Sequence, residues 1–290
     1  MKLSPAELSY LKDSLKANPP VRPDARKVAQ FRPLQATTNF LPTANGSARV
    51  RTSDGSECIV GVKAKVVKTE QESDLINVDV DISGVKDNHP LPNVLASTFE
   101  KTLNQATPQL RKALKLTSRF SFKLFIDGLV LSHSSHPLGL LSLTIYLALL
   151  STKLPLITSS TDDSKAEEIP VFHDDWNQAI PLCGELDDGW KPPLLFLLGV
   201  VGNNVIVDPS EEEEQVAEAG VIVGWSNGSV SAPIQMVDLD GSRTTGLRTS
   251  VISNAYKLVA EAGSEVADAL DTIISMESAD GQDEFTSSLF

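Results

Sequence analysis

The chain is poor in cysteine, in aromatic residues and in uninterrupted apolar stretches. Two cysteines in 290 residues, Cys58 and Cys183, leave no basis for a disulfide framework and point to a reducing compartment, cytosol or nucleus. The two Asn-Gly-Ser sequons at Asn45 and Asn227 are therefore read as turns and not as glycosylation sites. The longest apolar run, 138–150, is broken by Ser142 and Thr144 and falls short of the roughly 20 residues a membrane span requires. No membrane partner is expected, and Met1-Lys2 is not followed by the apolar core of a signal peptide. Positive charge is also scarce: a formal net charge of −13 argues against a free-standing nucleic-acid binder. Aromatics make up 6% of the chain and form no stacking motif of an RNA-recognition module.

A hydrophobic content of 41% is enough to bury a sizeable core in one large domain or two fused similar halves. The charge is unevenly divided. Residues 1–130 hold 19 Lys and Arg against 13 Asp and Glu, a net of +6, while residues 131–290 hold 6 against 25, a net of −19. A basic surface on the first half suits RNA; the acidic half suits solvent or basic partner proteins.

Periodicity places the elements. Ser4-Pro5-Ala6-Glu7 is a capping box with Pro at the first helical position, followed by Leu8, Leu11 and Leu15 on one stripe. Alternation predicts strands over 57–67, 75–82 and 120–131, with a helix over 93–104 between the second and third. The polar turn 132–136 leads into a nearly all-apolar helix that must be buried on most sides. A second group of strands is expected over 194–201, 205–207, 221–225 and 230–236, then a C-terminal helix through Val251, Ala255, Val259, Val266, Leu270 and Ile274. The organisation read from this is an N-terminal helix and leading segment (1–30), a first half (31–157), a linker and loop (158–192), a second half (193–275) and a disordered polar tail (276–290). The fold class is α+β, with mixed sheets covered by helices.

Arg22-Pro23-Asp24-Ala25-Arg26, then Phe31-Arg32, then Asn45-Gly46-Ser47-Ala48-Arg49 leading into an alternating strand, resembles the opening of the ribonuclease PH family. Within that family the order of parts is similar to the non-catalytic ring subunits of the eukaryotic exosome. Ala25 stands where the family usually has Gly. The resemblance implies a ribonuclease PH-like fold with a duplicated βαβ core around a long buried helix. It implies assembly with other ribonuclease PH-like ring subunits, with RNA-binding cap subunits and with a hydrolytic ribonuclease subunit, in the nucleus, nucleolus and cytoplasm. The expected role is to support 3′-to-5′ RNA processing and decay by building the ring and guiding RNA.

In active members, a Gly-Gly-Thr-Arg turn at the start of the central helix holds inorganic phosphate. Here the turn reads Ser134-Ser135-His136-Pro137-Leu138, and Leu138 stands in place of the phosphate-binding Arg. Approximate alignment puts Glu212 and Glu218 near the family's paired catalytic Asp positions, but without the clamp they lack a partner. The chain is accordingly expected to carry no covalent chemistry, no metal and no cofactor; the alternative is an active or neighbour-completed phosphorolytic 3′-to-5′ exoribonuclease. His133 and His136 with His173-Asp174-Asp175 make too loose a set for zinc, no Gly-x-Ser-x-Gly elbow is present, and Asp79 and Asp81 read as a solvated strand face. For RNA contact the expected residues are Arg111, Lys112, Lys115 and Arg119, four cations within nine positions. The second basic group, Arg22, Arg26, Arg32, Arg49 and Arg51, is expected to face neighbouring subunits.

Overall fold

The computed structural model describes residues 3–72, 74–86, 88–105, 108–117, 119–158, 170–183, 190–239, 246–280 and 287–289. Helix α1 (Pro5–Lys16) starts at the Ser4–Glu7 capping box and buries Leu11 and Leu15. Strands β1 (Leu34–Thr38), β2 (Gly46–Thr52), β3 (Glu57–Lys68) and β4 (Ile76–Ile82) precede helices α2 (Pro90–Gln105) and α3 (Pro108–Ala113). Then come β5 (Phe120–Ser132), α4 (Leu138–Ser151), β6 (Lys153–Leu154), a 3-10 turn over Trp176–Gln178 and β7 (Ile180–Pro181). The second half comprises β8 (Leu194–Val201), β9 (Asn204–Val207), the one-turn α5 (Glu211–Glu214), β10 (Ala219–Ser226), β11 (Ser229–Val237) and α6 (Thr249–Asp280), and β12 (Ser287–Leu289) follows.

Two larger sheets result, a six-stranded β12-β1-β2-β3-β5-β4 and a four-stranded β11-β10-β8-β9. In the first, β4 and β5 are parallel and joined through α2 and α3, a crossover connection. The second is antiparallel throughout, so the second half repeats a helix-covered sheet without repeating the crossover. Helix α4 packs against β2 and β3 on one side and β8 on the other. Thirteen of its 14 residues are buried, which is why its sequence shows no polar stripe. It comes close to β2 because Gly46 has no side chain: a Cβ there would stand 2.3 Å from Thr152 Oγ1 and 2.7 Å from the Ala148 carbonyl. The same device recurs where α6 lies on the second sheet, a Cβ on Gly263 falling 2.3 Å from the Trp225 ring.

One expectation changes. The tail does not begin as an unstructured segment at 276, since α6 runs to Asp280 and β12 pairs antiparallel with β1. Strand β1 itself, five residues with no long alternation, gave no sequence signal. Residues 159–169 and 184–189 of the expected linker lie outside the described residues. Its described part returns to the first half, through an Ile157–Phe172 bridge and the pairing of β6 with β7.

Candidate functional site

The turn that launches α4 is surrounded by arginines and carboxylates drawn from both halves of the chain. Arg22 is fully buried and grips Glu213 with two parallel bonds, Nε to Oε1 at 2.8 Å and Nη2 to Oε2 at 2.7 Å. Its remaining donors go to the carbonyls of Val207 (3.0 Å) and Asp208 (3.0 Å). Arg26 pairs with Asp24 and with Asp208 Oδ2 at 3.0 Å. Arg32 donates to both carboxylate oxygens of Asp208 (3.0 and 2.6 Å), to Asp54 (2.6 Å) and to Ser135 Oγ (2.8 Å). The expectation that this arginine group faces neighbouring subunits is therefore corrected for Arg22, Arg26 and Arg32, which clamp the leading segment onto the β9–α5 connection. Each has a carboxylate partner there, Glu213 of α5 for Arg22 and Asp208 of the connection for Arg26 and Arg32, which is how a guanidinium is tolerated inside a protein. Arg49 and Arg51 remain exposed on β2, with Arg49 paired to Glu57 at 2.6 Å.

Local backbone chemistry sets this geometry. Ser210 caps α5 and Glu213 returns the bond to the Ser210 amide, a capping box that turns Glu213 inward toward Arg22. Asp208 has φ 49°, aiming its carboxylate at Arg26 and Arg32. Ala25 has φ 61°, a left-handed backbone that costs an L-residue on the order of 1 kcal/mol and explains why the family prefers Gly there.

Three amides and one hydroxyl of the turn are already engaged. The Ser134 amide donates to Ser56 Oγ (3.1 Å), the Ser134 hydroxyl to Asp54, the His136 amide to Glu214 Oε1 (2.8 Å) and the Leu138 amide to His136 Nδ1 (3.4 Å). Leu138 itself is fully buried in the core. The Glu214 carboxyl group of the chain thus occupies the place at the helix N-terminus that suits an anion. Burial opposes the charge on Arg32, but the hydrogen bonds and charge of Asp208, with Asp54 and Glu214 behind them, raise its pKa above the ordinary value. Asp54 is held well below the carboxylate range: burial pushes it up, and hydrogen bonds from Ser134 and Thr52 and the charge of Arg32 outweigh that. Glu214 goes the other way, pushed up to about 8 by burial and by the charges of Asp208 and Glu211, against the His136 amide and Arg32. His136 is pulled down to about 4 by burial and by His133.

Glu212 and Glu218 are not brought to this turn. Glu212 is exposed, and Glu218 pairs with Lys12 at 3.5 Å and Lys16 at 3.2 Å on α1. The carboxylates that do meet it, Asp54, Asp208 and Glu214, were not singled out in the sequence. The Ser210-x-x-Glu213 capping signal was the available clue to the orientation of α5. Among the described residues no three His, Cys, Asp or Glu side chains converge as a metal set. Arg111, Lys112, Lys115 and Arg119 lie apart from the clamp and are all exposed, the first two ending α3 and the others flanking the start of β5. The Arg119 carbonyl accepts from the Thr69 amide at 2.8 Å, and Lys115 bridges to Ser121, which fixes the cluster beside the end of β3.

A fold of two helix-covered sheets around a buried helix whose N-terminal turn meets a basic leading segment defines a class, and the chain belongs to the 3′ exoribonuclease (ribonuclease PH) family. The model of that family's domain 1 matches residues 30–155. The Exosome complex component RRP42 of Saccharomyces cerevisiae is 42% identical over 273 residues, covering 94% of this chain and all of the relative. The Exosome complex component rrp42 of Schizosaccharomyces pombe is 30% identical over 299 residues, covering 96% and 97%. In fold, the chain is similar to one in the Archaeoglobus fulgidus exosome with RNA bound to the active site, at a TM-score of 0.66 and 19% identity, covering 91% of this chain and 97% of that one.

Proposed function

We propose that this chain is a ring subunit of an exosome, supporting 3′-to-5′ RNA processing and decay by assembly and by guiding RNA, without catalysing phosphorolysis. The observation that carries this reading is the closed α4 turn. Leu138 offers neither charge nor donor where the active members have Arg. The Ser134 and His136 amides are bonded to Ser56 and Glu214 within the chain. Phosphate would have to displace the Glu214 carboxyl group, and the guanidinium beside the turn, that of Arg32, is already held by Asp54 and Asp208. The relatives named as exosome components support the assembly role. The proposed partners are other ribonuclease PH-like ring subunits, RNA-binding cap subunits, a hydrolytic ribonuclease subunit and RNA. The proposed compartments are nucleus, nucleolus and cytoplasm.

Arg111, Lys112, Lys115 and Arg119 are the proposed RNA-contacting residues. They track phosphates, because four exposed cations within nine positions supply charge along one stretch of the surface. Two measurements test the reading. Native mass spectrometry of a tagged copy from its own cells should give a multi-subunit particle, and the pure chain with inorganic phosphate should leave RNA unshortened. A lone monomer, or phosphate-dependent shortening of RNA, would overturn it.

A further inference from the structure

Beside the exposed cation cluster lies a small apolar pocket that phosphate contact alone leaves unused. Its volume is about 180 Å³, and it forms where the end of α3 and the start of β5 meet the pairing of β6 with β7. Phe122, Leu154 and Leu182 are its buried members, and Phe122 is stacked on Phe172 with ring centroids 5.6 Å apart. Leu116, Pro155, Leu156 and Ile180 line it half-buried, and Pro181 is exposed. Of all the lining residues only Lys115 carries a charge, so this side chain belongs to both the cluster and the pocket. Backbone bonds fix the two together. The Phe122 amide donates to the Leu114 carbonyl at 2.7 Å, and the Leu116 and Thr117 amides donate to the Phe120 carbonyl at 3.1 and 3.0 Å.

We infer that this pocket takes one nucleobase of an RNA strand whose phosphates lie on Arg111, Lys112, Lys115 and Arg119, an inference that rests on the RNA reading of those four residues and deepens it. Charge complementarity selects the occupant. Four exposed cations within nine positions suit a chain that carries a negative charge at every unit. Acids do occur in the vicinity, Glu70 and Glu72 past the end of β3 and Asp174 and Asp175 ahead of β7, but none lines the pocket. Size and shape agree with this choice. The pocket falls below the ~300 Å³ at which drug-sized sites begin, so it holds one small group. Its half-buried rim suits a planar group with apolar faces and a polar edge left in water, which is the chemistry of a base. Apart from the Lys115 ammonium no lining side chain offers a donor or acceptor, so the base is held by its face and its identity is not read.

The test titrates the reconstituted particle at low salt with two fluorescent probes of equal length, oligoadenylate and its abasic ribose-phosphate counterpart. A Leu116→Ser, Leu156→Ser double variant should weaken oligoadenylate by roughly five-fold and leave the abasic probe unchanged, whereas Lys115→Ala should weaken both. Photocrosslinking of the wild-type particle through 8-azidoadenine in the oligoadenylate should label residues 154–157 or 180–182, a readout independent of how the variants fold. An equal loss on both probes or on neither for the serine variant, or crosslinks confined to other parts of the chain, would overturn the pocket while leaving the phosphate contacts standing. No loss on either probe for Lys115→Ala would overturn the RNA reading of the cluster, and the pocket with it. Binding of an acidic peptide bearing one Phe, lost in the serine variant while oligoadenylate binding is kept, would assign the pocket to a protein segment and overturn the inference as well.

Discussion

Two arginine-rich segments of this chain look alike on paper and meet opposite fates. Between positions 22 and 32 three arginines are drawn into the interior, their side chains 0%, 6% and 11% exposed. Between positions 111 and 119 two arginines and two lysines stay in water. Composition does not separate them. What differs is burial: the first group is drawn inward by Asp54, Asp208 and Glu213, two of them more than 170 positions away in sequence. A basic cluster is thus a statement about charge, and only its partners decide whether that charge is structural or available to RNA.

The comparison can be broken at its buried end and sharpened at its exposed one. The largest effect on stability is expected for Arg22→Ala, which takes the two-bond partner from the buried Glu213 carboxylate and leaves it only Arg26 at 3.7 Å and the Ser210 amide, at a cost of about 3–5 kcal/mol. Differential scanning calorimetry should show Tm lowered by roughly 10 °C. An unchanged Tm would mean that the clamp contributes nothing net.

Glu214→Gln comes next. The folded-state pKa of Glu214, about 8, lies above that of an unfolded glutamate, so its contribution is fully present below ~4.3 and is lost as pH rises through 8. Urea titrations between pH 5 and 9 should show wild type losing stability relative to the variant as pH rises, by on the order of 4 kcal/mol. Asp54, depressed by its partners, works in the opposite sense: its contribution is present above ~3.9 and lost in acid, in both proteins alike.

Ala25→Gly should stabilise the chain by up to ~1 kcal/mol, since φ 61° suits Gly and the gain is offset by the greater freedom of an unfolded glycine. Chemical denaturation reads this as a raised midpoint at constant slope. Smallest in stability is the exposed group: changing Arg111, Lys112, Lys115 and Arg119 to Ala should move folding by no more than ~0.5 kcal/mol per site. Its effect belongs to RNA binding by the assembled particle, where the slope of log K against log salt should flatten by about 0.7 for each phosphate contact removed. An unaltered slope would remove these four residues from the RNA path.

Much of the fold was legible because it rests on short-range pattern. The alternation in β3, β4 and β5 gives burial directly, and the Ser4–Glu7 box marks the start of α1. Illegible parts are those fixed by contacts distant in sequence. Strand β1 lies between β2 and β12 and is too short to show a period. The acidic run at 211–214 shows the same limit at the site. In a single helical turn Glu212 faces water while Glu213 and Glu214 point inward, a difference of one position that approximate alignment does not resolve. Leu138 was read from residue type alone, because the lack of a guanidinium needs no geometry to be recognised.

The Arg22–Glu213 pair also bears on how the chain reaches its native state. Its members are 191 positions apart, so the leading segment has no permanent partner while most of the protein is still being synthesised. Helix α1 is in the same position, because Leu11 and Leu15 bury themselves against Val201, Ile206 and Val216. Contacts of such long range make for slow closure and leave an apolar stripe uncovered in the meantime. The leading segment and α1, made well before their partners, are therefore among the last to find their place, and a nascent chain stalled before Glu213 would present α1 to chaperones.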